Sequence, residues 1–333
     1  MERSAARAHL GSSCVLVLLS IGLAGPVVAD PLPGENTLKF QQVPLTGASA
    51  AFPYPGHDET STAYATVDPM SGQPTGWQGT FMADDFADTS SSPVLHVAWW
   101  GSYAGNDTGP SGGVKRFLIS FESDVPAGGA GGGFSHPGAP LSSQIVTKGP
   151  LAPRSGTFTE KPVPGAGGTE TLYQYNAELG LGHSFLEQPN TVYWLKIVAL
   201  VDTAQDGSIS WGWHDRDWSV PDGLASVPPA VAPGEGVVGS LLSGQDVHHF
   251  QDDAVSGSIV VTPALALQQS GFSPQRYLDS IDGPMGIEQF SKDLAFELYT
   301  VPEPATAGLL ALGVAALRLV SRRARGIDPD TSR

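Results

Sequence analysis

"TVYWLKIVALV", residues 191–201, is an apolar run of strand length in a chain otherwise rich in glycine and proline. Alternate residues of an extended strand share a face, so Tyr193, Leu195, Ile197, Ala199 and Val201 line one side. Working outward, "PVLHVAWWGSY" (93–103) and "VKRFLISFESD" (114–124) read the same way, the second with Phe117, Ile119 and Phe121 on one face. Weaker strand signals lie in "WQGTFMADDF" (77–86), "TLYQYNAEL" (171–179), "SISWGWHD" (208–215), "SIVVT" (258–262) and "DLAFELYT" (293–300). Between the termini no long stretch carries a helical period. Eight or more strands with Gly/Pro turns predict an all-β chain, a single jelly-roll-like β-sandwich over residues 30–300. The Gly- and Pro-dense stretches 126–170 and 220–244 read as long loops on it.

The chain has 333 residues and a mass of 34.6 kDa, room for one large or two small domains. Both ends read as processing segments, which favours one. At the N-terminus Arg3 and Arg7 precede an apolar run from Leu10 to Leu23, and Val27 and Ala29 stand just before Asp30. Basic region, apolar core and small-residue exit predict a secretory signal over residues 1–29, cut after Ala29, and so an exported body using the general secretory translocase. Cys14, the single cysteine, falls inside that signal. The mature body therefore has no disulfide, thiol nucleophile or cysteine-based metal centre.

With 17 basic and 33 acidic residues the formal charge is −16, and the two ends are net basic, so the body is more acidic still. Such a surface repels nucleic acid and anionic lipid and attracts divalent cations.

The tail "VPEPATAGLLALGVAALRLVSRRARG" (301–326) joins an extended proline strip, an apolar run and an arginine cluster. About 16 helical residues span roughly 24 Å, short of the ~30 Å hydrocarbon core. The arginines that follow hold that end in the cytoplasm, which matches the topology set by the N-terminal signal. Val301, Pro302, Glu303 and Pro304, the short apolar helix and Arg322 and Arg323 resemble the PEP-CTERM sorting signal of Gram-negative bacteria. The resemblance implies a transient membrane anchor, cleavage by an exosortase, a cytoplasmic tail over 327–333, and delivery to the cell surface or an exopolysaccharide matrix. Along the body, "MADDFAD" (82–88), "VAWWGSY" (97–103), "LISFESDVPA" (118–127), "FSHPG" (134–138), "YWLKIVAL" (193–200), "WGW" (211–213), "DDAV" (252–255) and "DLAFELYT" (293–300) resemble an uncharacterised β domain found on PEP-CTERM proteins. That family implies no catalytic role.

Several motifs fail on context. "GPSGG" (109–113) fits G-x-S-x-G, but a strand rather than a helix follows Ser111. "GEGVVG" (234–239) follows "VPPAVAP", which cannot be a central strand, so no dinucleotide site is expected. "DTAQDGSIS" (202–210) has Ala204 where a calcium loop needs a ligand, and reads as a hairpin turn with Asp-Gly at its tip. His248 and His249 are adjacent, so a regular strand sends them to opposite faces and away from one shared metal. Two acidic pairs, Asp84 with Asp85 and Asp252 with Asp253, are candidate ligands for a structural calcium ion if they converge at strand ends. Trp211 and Trp213 share a face and Trp218 follows, with Asp215 and Asp217 between. These five form a candidate sugar site, the rings stacking and the carboxylates accepting hydrogen bonds from hydroxyls. Three functional classes stay open: a noncatalytic surface or matrix protein that binds carbohydrate, a secreted glycosidase-like hydrolase using paired carboxylates, and a ligand-free structural protein of the envelope.

Overall fold

In a computed structural model of the protein, residues 37–46, 56, 58–87, 91–126, 134–164, 170–189, 191–216, 254–274 and 293–300 are described. They are predominantly strand: β1 Thr37–Gln42, β2 Asp58–Thr60, β3 Thr62–Val67, β4 Pro74–Phe86, β5 His96–Tyr103, β6 Arg116–Val125, β7 His136–Lys148, β8 Thr157–Pro162, β9 Tyr173–Glu178, β10 Tyr193–Val201, β11 Trp211–His214, β12 Val255–Val261, β13 Leu267–Pro274 and β14 Phe296–Thr300. One mixed sheet runs β1-β14-β5-β9-β8-β7-β6-β10-β3-β4-β12-β13, with β10 also pairing β4 and with β11 bridging β2 and β5. Each of the eight stretches read as strands from the sequence overlaps one.

The run 191–201 becomes β10, buried at every position. Its two faces serve two cores. Tyr193, Leu195, Ile197, Ala199 and Val201 enter the larger, while Trp194, Val198 and Leu200 enter a smaller one beside β12. In the larger core, rings from β5, β8, β9 and β11 meet Phe117 of β6: Trp99 at 5.2 Å, Phe158 at 5.1 Å, Tyr175 at 5.2 Å and Trp211 at 4.8 Å between centroids. Trp99 and Tyr175 lie stacked at 5.3 Å and 10°. Edge-to-face and offset rings of this kind add to simple area burial. The approach of β11 to β5 depends on Gly101, where a Cβ would stand 2.2 Å from the Gly212 carbonyl oxygen and 2.4 Å from the Trp211 ring.

Two sequence expectations are corrected. Residues 126–170 are not one long loop, because β7 and β8 lie within them. The prolines that suggested a loop are absorbed at register shifts, with Pro140 opposite Glu122 and Pro137 opposite Asp124; bulges are where a strand tolerates proline. Nor is 202–210 a hairpin. Thr203–Asp206 is one helical turn capped by the Asp202 carboxylate, with Gly207 at φ 78°, and it separates strands that pair with different partners. The stretch 220–244, His248 and His249, the signal over 1–29 and the tail from 301 onward lie outside the described residues. Among the described residues no helix is long and apolar enough to cross a membrane.

Candidate functional site

Trp211 and Trp213 are both 0% exposed, so neither ring presents a face to a sugar, and the stacking platform expected from them is corrected. Strand period places them on one face, and that face is the inner one. Their indole nitrogens are satisfied inside: Trp211 Nε1 donates to Tyr175 Oη at 3.1 Å, and Trp213 Nε1 donates to the Ala295 carbonyl at 2.8 Å. Asp215 is 1% exposed and its backbone bridges to Leu294, so it is no solvent-facing acceptor either. Trp218 and Asp217 lie outside the described residues.

Asp84 and Asp85 are buried and, as neighbours on β4, point to opposite faces. Asp84 accepts from the Leu294 amide at 2.7 Å and from the Asp85 amide at 3.0 Å. Burial, reinforced by the Asp293 carboxylate, pushes Asp84 well above the usual carboxylate range, with the Leu294 amide and Arg216 pulling the other way. Burial raises Asp293 too, against Arg216, whose Nε lies 3.4 Å from its carboxylate. The described residues contain no group of three or more His, Cys, Asp or Glu arranged to hold a metal, and Asp252 and Asp253, the other half of the expected calcium site, lie outside the described residues.

A polar cluster that sequence reasoning missed sits where β2, β5 and β11 meet. Ser102 Oγ lies 2.6 Å from Asp58 Oδ2 and 3.1 Å from Glu170 Oε2. His214 Nδ1 lies 3.0 Å from Asp58 Oδ1, and its Nε2 lies 2.7 Å from the Leu45 carbonyl oxygen. Serine, acid and histidine are all present in the wrong order for nucleophilic catalysis, with the acid between serine and imidazole and no ring nitrogen on the hydroxyl. A strand alternation such as "HVAWWGSY" gives Ser102 a face, but only long-range pairing brings Asp58 and His214 to it.

Burial works against charge on His214, yet Asp58, by its charge and its hydrogen bond, and then Asp215 raise it to about 9. Both ring nitrogens then donate, to Asp58 and to Leu45. Because the folded value exceeds the ordinary 6.5, this contribution is complete below about pH 6.5 and is lost as pH rises through about 9. Its size is about 3 kcal/mol. Urea unfolding of the parent chain at pH 6 and pH 10 is expected to show a loss of that order, and His214→Gln is expected to abolish most of the difference. Equal pH dependence in parent and variant would remove His214 from the account.

The described residues thus define an all-β domain with a doubly buried central strand and a buried imidazole–carboxylate clasp. The chain belongs to the family described as "Domain of unknown function (DUF7901)", whose model matches residues 38–229, more than half of the chain. No curated protein and no solved structure matches it.

Proposed function

We propose that the chain is an exported, noncatalytic protein of the cell surface or exopolysaccharide matrix that binds carbohydrate. In this reading residues 1–29 direct secretion through the translocase, residues 30–300 form a single jelly-roll-like sandwich, and residues 301–326 anchor the chain in the inner membrane until an exosortase cuts them. The observation that carries it is the tripartite C-terminus, in which Val301, Pro302, Glu303 and Pro304 precede an apolar run too short for a comfortable span and the arginines Arg322 and Arg323. The sandwich reading is supported by rings of β5 and β9 meeting Phe117 of β6 across one core. The noncatalytic reading is supported by the order Ser102–Asp58–His214, in which the hydroxyl meets carboxylates and no imidazole nitrogen, unlike a serine-hydrolase triad.

The full chain, expressed in a Gram-negative host with and without an exosortase, tests the route. Exosortase-dependent release from the inner membrane to the surface fraction is expected. Retention in the inner membrane in both hosts would make the tail an ordinary anchor.

A further inference from the structure

Strand register puts five side chains in one line on the sheet face turned away from Trp99 and Phe117. Gln41 stands opposite Glu297, Glu297 opposite Ala98, Ala98 opposite Asn176, and Asn176 opposite Thr159. The line therefore crosses β1, β14, β5, β9 and β8, and at about 4.8 Å between strands its four steps span about 19 Å. It is flanked on one side by Tyr299, His96 and Glu178, which also stand opposite one another.

These groups are held in place before any ligand arrives. Gln41 Nε2 donates to Glu297 Oε1 at 2.9 Å, and the Tyr299 hydroxyl donates to the other Glu297 oxygen. The His96 ring lies 2.9 Å from Glu178 Oε1 and 3.3 Å from Asn176 Oδ1, and it meets Tyr299 edge-on at 5.2 Å. Gln41, Glu297, Tyr299, Asn176 and Thr159 all keep part of their surface in solvent. Ala98 in the middle is fully buried and offers no surface, so the polar groups stand in two parts, Gln41 and Glu297 on one side of it and Asn176 and Thr159 on the other. Amide, carboxylate and hydroxyl groups at fixed spacing beside a half-exposed ring suit a hydroxyl-rich chain, and fixing them in advance lowers the ordering cost of binding. Charge narrows the choice. The two carboxylates here belong to a chain of formal charge −16, a field that repels anionic polymers and draws ammonium groups.

We infer that the line Gln41–Glu297–Ala98–Asn176–Thr159 binds an amino-sugar polysaccharide, with ammonium groups on Glu297 and sugar hydroxyls on Gln41, Asn176 and Thr159. This site rests on the carbohydrate-binding reading above and replaces the tryptophan platform as its location.

The test is retention of the detergent-solubilised full chain on beads of chitosan, cellulose and alginate. Retention on chitosan is expected, with Glu297→Gln and Asn176→Ala each binding about tenfold more weakly, since each removes one well-placed polar contact. Both residues are partly exposed, and the first change preserves shape, so neither should disturb folding. Asp107→Asn removes the same charge at an exposed turn beyond β5, where its side chain accepts from the Gly109 amide at 2.8 Å, and it should leave retention unchanged. Equal weakening by Asp107→Asn would reduce the attraction to diffuse charge and overturn the site. Full chitosan retention by both line variants would overturn the site while leaving carbohydrate binding intact. Retention on cellulose or alginate alone would overturn the amino-sugar class, and retention on none of the three would overturn the carbohydrate reading itself.

Discussion

Replacing Glu122 with alanine is expected to lower the free energy of unfolding by roughly 3–5 kcal/mol. Glu122 and Lys196 form an ion pair at 2.7 Å with both side chains 0% exposed, and the ammonium also lies 4.0 Å from the centre of the Phe81 ring. Gln269 of β13 contacts both partners, donating to Glu122 Oε2 at 3.0 Å and accepting from Lys196. Burial already draws Lys196 below its ordinary value, with Glu122 opposing that fall. Without Glu122 the ammonium is left uncompensated in an apolar layer, and Lys196 would surrender its proton more readily. The unfolded chain then binds more protons than the folded one, so the variant should gain stability as pH rises. Replacing the pair together, Glu122→Leu with Lys196→Met, should cost little or even stabilise, because both desolvation penalties disappear. Urea unfolding of the two variants measures this directly. A single variant as stable as the parent would mean that water reaches the pair.

Trp213→Ala is expected to cost a comparable 3–5 kcal/mol. The ring is fully buried, lies 5.9 Å from Phe296 at 67°, and donates its indole hydrogen to the Ala295 carbonyl. Truncation opens a cavity between β11 and β14 and leaves that carbonyl without its donor, two separate losses. The test is thermal unfolding of the full chain beside its parent, and a melting temperature equal to the parent's would return Trp213 to the surface. A surface stacking residue, by contrast, would weaken sugar retention with no effect on stability.

These two residues mark the limit of what the sequence discloses. Runs such as 191–201 and 114–124 are legible because burial on one or both faces leaves a period of two or an unbroken apolar stretch. β7 is obscured because its prolines and glycine resemble loop chemistry until the register shifts opposite Glu122 and Asp124 are seen, and β8 because Phe158 is its single buried position. For Trp211 and Trp213 the period correctly puts both rings on one face but says nothing of which face is inside. Their polar neighbours pointed outward, whereas His214 and Asp215 are themselves buried: His214 is paired to Asp58, 156 residues away, and the Asp215 backbone carbonyl accepts from the Leu45 amide. The line of Gln41, Glu297, Ala98, Asn176 and Thr159 is invisible in sequence for a related reason, since it exists only through the register of five strands.

The claim that the chain is exported and sorted through its two ends is most directly tested by the intact mass of the surface-released protein from an exosortase-containing host. The expected product begins at Asp30 and has lost the apolar run and arginine cluster that follow Pro304. A released product retaining Arg322 and Arg323, or one still carrying residues 1–29, would contradict it.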